Sequence, residues 1–351
     1  MELLKNRLEN YKNFSKDFKK HSSKKIKSFY EMLKDFSTTS FSCINNDNIL
    51  NDFIKITSAV KVDSVNADVV FGITTETEIA IKKIPIDSDE ISYLKNLNKL
   101  DNIKPKDIKN LNSDLLTELY FLNITTKLLK RKITNNLPFI YTYYMCNKCH
   151  FTNKKVIEKK GTGILPCVYL ITEKASGDLE HFILEKKTTE KQIYSGYLQI
   201  YIALYVIKKY FKIQHQDLHL GNVLYFKVTP GGYWKYRIKN KTIYVPNYGQ
   251  LFILWDFAYS IIPELVGADS NKRIYDKGDK LLFEDHRRIV EGLAHNNHRF
   301  DKVHDFFYEI INNEETVHDI IFKLYEKLQK LDPLPSNIKV LESYNTNKKL
   351  E

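Results

Sequence analysis

Residues 193–211 read "IYSGYLQIYIALYVIKKYF", and almost all of them are apolar or aromatic. A helix that is apolar around its whole circumference has no solvent face, so this run predicts a helix buried inside its own domain. It does not predict a membrane span, because no stretch of about 18 consecutive apolar residues occurs in the chain. The rest of the sequence must then supply a core around that helix. With 351 residues, 43% hydrophobic and 28% charged, the chain has the length and balance of a soluble globular protein of one large domain or two lobes.

A different period governs the first half. "FIKITSAVKV", "ADVVFGITT" and "EIAIKKIPI", within residues 52–86, alternate in polarity and predict three β-strands joined by short turns. Residues 88–113 are rich in Asn, Lys and Asp and have the character of a polar insertion. In "DLLTELYFLNITTKLLKRK" (114–132) apolar residues recur at i, i+3, i+4 and i+7 behind Asp114, which predicts a helix. "FIYTYYMC" and "PCVYLITEK" predict two further strands. Beyond residue 190 the pattern is mainly helical, with a tyrosine-rich, strand-like interruption at 224–256. The last helices are expected over 280–331, before the prolines of "LDPLPSN". Five strands with one embedded helix, followed by a helical half, predict an α+β chain of two lobes.

The chemistry concentrates in three short stretches. "IQHQDLHLGNVLYF" (213–226) sets His215, Asp217, His219 and Asn222 among apolar flanks. "LFILWDFAY" (251–259) reads as a buried strand ending in Asp256-Phe257, and "EIAIKKI" (78–84) as a strand with lysines among β-branched residues. Glu118 lies inside the predicted helix. Carboxylate and carboxamide oxygens are hard ligands suited to Mg²⁺. Phosphoryl transfer from ATP requires such ions, and cations, around the charge that develops on phosphate oxygens.

In this order the elements resemble the protein-kinase signature set. The chain is identified as similar to divergent eukaryotic-type serine/threonine protein kinases over about residues 50–290. The resemblance implies a bilobal kinase-like fold. A basic helical extension (1–45) would precede an N-lobe (46–172) made of a five-stranded antiparallel sheet and one main helix. A mainly helical C-lobe (173–332) and a tail (333–351) would follow. Lys82 would grip the α- and β-phosphates of ATP and Glu118 would direct it. Asp217 would orient the acceptor hydroxyl and take its proton, while Asn222 and Asp256 would hold Mg²⁺ or Mn²⁺. Lys83 is the rival of Lys82; strand alternation is expected to turn only one of them inward, and the Ile-Ala-Ile-Lys match favours Lys82. The polar insertion accounts for the long separation of Lys82 from Glu118.

By the same resemblance "YLITEKASGDL" matches the hinge. Thr172 would be the gatekeeper, Glu173 and Ala175 would offer backbone groups to adenine, and Ala80 and Val69 would border the nucleotide. Asp178 would reach the ribose, although an Asp after Gly is as often a turn or helix cap. Asp285 in "FEDHRRIVEGL" is either a buried carboxylate holding the catalytic-loop backbone or an exposed partner of an arginine.

Several positions depart from the resemblance. "VKVDSVNADVVFG" carries Ser64 and Ala67 where a phosphate loop has glycines, which constrains the approach of backbone amides to phosphate. Gln216 stands where an arginine usually pairs with a phosphorylated activation loop, and no Ala-Pro-Glu follows Asp256. An enzyme active as synthesised is therefore expected. His219 replaces the usual lysine, and "DLHLGNVL" is similar to haspin-type kinases and also to aminoglycoside and choline phosphotransferases. A rate that rises as His219 protonates is expected. "TIYVPNYGQLFILWDFAYS" resembles serine/threonine kinases of large nucleocytoplasmic DNA viruses, iridovirus- and mimivirus-like. Two other functions stay open: small-molecule phosphotransfer, suggested by His219, and a pseudokinase scaffold, suggested by the glycine-poor loop.

The net charge of +11 fits anionic company or a solvated lysine-rich surface. A protein substrate, basic or acidic, is the expected partner. Ten Lys/Arg in residues 1–36, with apolar residues at helical spacing, predict an amphipathic helix that packs on its own domain or touches nucleic acid or a membrane surface. The N-terminus has charges where a signal peptide needs its apolar stretch, and four cysteines make no disulfide framework. A reducing, cytoplasmic location is expected, in host cytoplasm or virion for a viral protein. "CNKCH" (146–150) matches a haem-attachment pattern and half a zinc site; Cys146, Cys149, Cys167 and His150 would complete the latter if their strands form a hairpin, although two cysteines flanking a tight hairpin turn are more often incidental.

Overall fold

The computed structural model describes residues 3–25, 54–60, 67–74, 77–96, 113–262, 280–296, 298–313 and 316–349. It divides into a β-rich unit, Lys5–Asn123 with Phe139–Lys174, and a helix-rich unit, Met1–Leu4 with Ile124–Pro138 and Ala175–Glu351. No helix among the described residues is long and apolar enough to cross a membrane.

The alternating runs become strands β1 (Lys55–Val60), β2 (Asp68–Ile73) and β3 (Glu78–Pro85). With β4 (Ile140–His150) and β5 (Ile164–Glu173) they build one sheet in the order β1-β2-β3-β5-β4, every neighbouring pair antiparallel. Register sets Lys82 between Val69 and Leu170, and Ala80 between Phe71 and Thr172. Helix α1 (Leu3–Lys25) packs an aromatic stripe on this unit: Phe14 stacks on Tyr141 at 5.1 Å and Tyr11 lies 5.7 Å from Phe139. The start of the polar segment is itself ordered, as α2 (Ser88–Asn96). Asp87 accepts from the amides of Asp89 and Glu90, and the Glu90 side chain accepts from the Asp87 amide, a reciprocal cap that starts this helix. Residues 97–112 of the same segment lie outside the described residues. Helix α3 (Asp114–Lys130) follows and carries Glu118.

The hairpin of β4 and β5 brings two of the cysteines together. Cys149 and Cys167 form a disulfide with Cα atoms 6.0 Å apart, within the disulfide range, and Cys146 is buried outside that bond. A register shift between Cys146 and Cys149 brings the second of them to Cys167, although Cys146 is its cross-strand neighbour. His150 is exposed, and no group of three or more His, Cys, Asp or Glu that could hold a metal occurs among the described residues. The four-ligand site is therefore not assembled.

Between the hairpin strands runs α4 (Lys154–Lys160). In the helix-rich unit, β6 (Gly177–Asp178) leads into α5 (Leu179–Leu184), and the apolar run becomes α6 (Glu190–Phe211), buried from Ile193 to Ile207. A capping box of Thr189 and Gln192 starts α6. The polar residues inside it are spent on the strands β7 (Val223–Lys227), β8 (Tyr233–Ile238), β9 (Lys241–Pro246) and β10 (Gln250–Leu254). Ser195 donates to the Pro246 carbonyl, and Gln199 accepts from the Phe252 amide at 2.9 Å. Gly196 admits the Phe252 ring, which a Cβ there would approach to 2.9 Å. The strands form two sheets, β10-β7-β6 and β9-β8-β11, and in the second β11 (Val340–Asn345) runs parallel to β8. Helices α7 (Lys280–Asn296), α8 (Asp301–Asn313) and α9 (Val317–Leu331) complete the unit.

Candidate active site

Lys82 and Lys83 are both buried, which corrects the expectation that alternation would bury only one. Successive side chains of a strand leave on opposite faces, and each face here supplies a carboxylate. Lys82 Nζ lies 2.8 and 2.9 Å from the two oxygens of Glu118. Lys83 Nζ lies 2.9 Å from Asp68 and donates to the His150 carbonyl. Burial pushes the Asp68 carboxyl up, but amide donors from Thr152 and Asn153 and the Lys83 charge outweigh it and hold the group below its ordinary range. Lys82 is thus the lysine directed by the helix glutamate, and Lys83 belongs to a separate buried pair.

At the hinge positions, Thr172 is buried on β5 opposite Ala80, while Val69 and Ala80 are half-buried. Glu173 is buried, its carboxylate gripped by Arg7 of α1 through both oxygens and accepting from the Phe139 amide at 2.9 Å. Ala175 is half-buried. Asp178 is the N-cap of α5: its carboxylate accepts from the His181 amide at 2.8 Å and meets the His181 ring at the same distance. That hydrogen bond raises the imidazole pKa. The ordinary alternative for Asp178, a helix cap, is what its geometry provides. Ser64 and most of the segment after Asp256, residues 263–279, lie outside the described residues.

The catalytic-loop candidates gather in the helix-rich unit. Asn222 donates to Asp217 twice, to the carbonyl at 2.8 Å and to Oδ2 at 3.2 Å. An amide has two hydrogens, so both are spent on Asp217 and the carboxamide oxygen is the atom it offers to a cation. Strand pairing brings Asp256 to the same end of the sheet: Val223 faces Leu254, and the Trp255 amide donates to the Asn222 carbonyl at 2.9 Å. These two oxygen donors fit Mg²⁺, which takes one or two protein ligands and completes its shell with water and nucleotide phosphate.

The loop and the Asp-Phe segment are stitched together. Gln214 and Ile261 exchange backbone hydrogen bonds at 3.0 Å, the His215 ring bonds the Trp255 carbonyl at 2.7 Å, and buried Phe257 packs on His215. Gln216 and Asp256 hold left-handed backbone conformations, φ 67° and 56°, which a non-glycine residue keeps only where surroundings enforce it. Asp285 is buried on α7 and accepts from the His215 amide at 2.8 Å, which places it beneath the loop rather than in solvent. Burial raises its carboxyl pKa against the lowering pull of His215 and nearby amides. His219 is exposed, and its Nδ1 accepts from the Gly221 amide. The residue that bonds Asp217 from outside the loop is Arg288, at 2.9 Å, and nothing in the loop motif signals it. The only trace in the sequence is that Arg288 lies three residues after Asp285, on the same helical face.

No protein-family model matches the chain. It is similar to two viral proteins. One, "Putative serine/threonine-protein kinase 019R" of Frog virus 3 (isolate Goorha), is 26% identical over 156 residues, 44% of this chain and 18% of that protein. The other, "Probable serine/threonine-protein kinase 380R" of Invertebrate iridescent virus 6, is 29% identical over 150 residues, 41% of this chain and 27% of that protein. The chain thus spans about a fifth to a quarter of the length of these relatives. Their names and the α+β architecture support a distant kinase-like relationship.

Proposed function

We propose that the protein is an ATP- and Mg²⁺-dependent phosphotransferase that carries the γ-phosphoryl group to Ser or Thr hydroxyls of proteins. Lys82, directed by Glu118, binds the α- and β-phosphates; Asp217 orients the acceptor hydroxyl and receives its proton; Asn222 and Asp256 hold the metal. Bound Mg²⁺ would neutralise charge on the phosphate oxygens. The observation that carries this proposal is the Asp217–Asn222 pair, in which the amide hydrogens go to Asp217 and the carboxamide oxygen is left to a cation, on the strand whose partner leads into Asp256. The lysine–glutamate pair supports it independently, because a buried ammonium fixed by a carboxylate is pre-aimed rather than recruited. The similarity to proteins named as viral serine/threonine kinases supports the protein acceptor.

Incubation with γ-labelled ATP, Mg²⁺ and a set of basic and acidic proteins tests it. Label is expected on Ser or Thr in protein, and it disappears in Asp217→Ala. Label in aminoglycosides or choline instead would establish small-molecule transfer. ATP binding without turnover would establish a scaffold.

A further inference from the structure

Helix α7 turns one face to the catalytic loop and touches it at three points. Asp285 accepts from the His215 amide at 2.8 Å, Arg288 Nη1 lies 2.9 Å from Asp217 Oδ1, and a Cβ at Gly292 would stand 2.6 Å from Leu220 Cγ. Positions i, i+3 and i+7 share a helical face, so one rigid element addresses the loop before, at and after the carboxylate. The Arg288 and Asp217 side chains are 26% and 21% exposed, which shields their charges more than at an open surface. The loop's own basic residue is placed differently. His219 Nε2 stands 3.9 Å from Asp217 Oδ2, and its side chain is 54% exposed.

We propose that Arg288 is a positioning residue of the phosphoryl-transfer reaction, acting through Asp217 in place of a cation within the loop. This role rests on the phosphotransferase function proposed above. Arg288 donates to Oδ1 and Asn222 to Oδ2, so the carboxylate plane is fixed from both sides. Each carboxylate oxygen accepts in about two directions, so a direction remains for the acceptor hydroxyl. In the reaction the hydroxyl oxygen bonds to the γ-phosphorus while the bond from that phosphorus to the β–γ bridging oxygen breaks. The hydroxyl proton passes to Asp217, and ADP leaves with the electron pair. Guanidinium suits the holding role because its planar fork is more directional than an ammonium on a flexible stem.

The test compares wild type, Arg288→Ala, Arg288→Lys and Arg287→Ala, the last removing a neighbour that pairs with Glu291. In Arg288→Ala kcat is expected to fall about 100-fold, the usual scale for a misplaced catalytic group, with the KM for ATP and the Tm near wild type. Arg288→Lys should recover part of kcat, added guanidinium ion should partly rescue Arg288→Ala, and Arg287→Ala should match wild type. Wild-type transfer with full kcat in Arg288→Ala would overturn the role alone. So would a loss that neither lysine nor guanidinium recovers and that tracks a lowered Tm. A wild type without Asp217-dependent transfer would overturn the proposed function, and this role with it.

Discussion

Lys82 and Lys83 are chain neighbours, yet each is buried against its own carboxylate. Removing one member of a buried pair strands the other charge, so Asp68→Ala is expected to cost about 3–5 kcal/mol of stability in urea unfolding at neutral pH. A loss below about 1 kcal/mol would mean the Lys83 ammonium finds water instead. The pH dependence has a definite sign. The folded Asp68 pKa lies below its unfolded value, so its stabilisation is complete above about pH 4 and is lost as pH falls through the folded value. Lys82→Met strands the Glu118 carboxylate in the same way, so it should lower the urea midpoint as well as abolish phosphoryl transfer, checked by labelled-ATP turnover beside circular dichroism. At this scale local motif spacing singled out Lys82, Asp217, Asn222 and Asp256 as candidates, and the structure sets Lys82 on Glu118 and Asn222 on Asp217. The sequence hid residues defined by a distant partner. Arg7, Asp68 and Arg288 look like ordinary surface charges until the fold brings a carboxylate or a lysine to them.

Among the elements, α1 shows how a basic amphipathic helix can spend a charge on its packing face. Arg7 sits one turn before Tyr11 in the aromatic stripe, lies 5.2 Å above the Phe139 ring, and closes on Glu173. Arg7→Met is expected to cost about 3 kcal/mol by leaving Glu173 buried without its cation, and Arg7→Met with Glu173→Leu should recover most of that loss. Equal losses in the single and double variants, measured by urea midpoint, would count against the pair. Gly292 sets the approach of α7 to the loop. Alanine there gains up to about 1 kcal/mol of helix propensity but overpacks Leu220, a cost of about 1–3 kcal/mol. Gly292→Ala should therefore lower the Tm slightly and reduce turnover more than it reduces stability. The element pattern was legible where one local signal dominated, alternation in β1 to β3 and unbroken apolarity in α6. The strand β11 was not, because a parallel partner more than a hundred residues away leaves no local mark on a polar C-terminal segment.

At the scale of the whole molecule, opposing ionisations set acid stability. Burial holds the His286 imidazole down at about 3, with Lys208 adding to the effect, and its ring stacks on Tyr201 at 5.0 Å. Its folded pKa is below the unfolded 6.5, so the unfolded chain takes up that proton first. Stability is full above about pH 6.5 and falls as pH drops, by at most about 1.4 kcal/mol per pH unit for this one group. Asp68 and Asp332, held low, add to the loss at still lower pH, whereas Glu90 and Asp285, raised by burial, act in the opposite sense. The balance is separable by difference. His286→Phe keeps the stack and removes the proton site, so its urea midpoint should fall less steeply than wild type between pH 6.5 and pH 4, while the carboxylate contributions cancel in the comparison. Both tryptophans, Trp234 and Trp255, lie in the helix-rich unit with His286, so their fluorescence reports on the unit that holds the titrating group. Parallel pH curves for the two proteins would show that His286 is protonated in the folded state, and the apolar enclosure that surrounds α6 would then have to admit a charge.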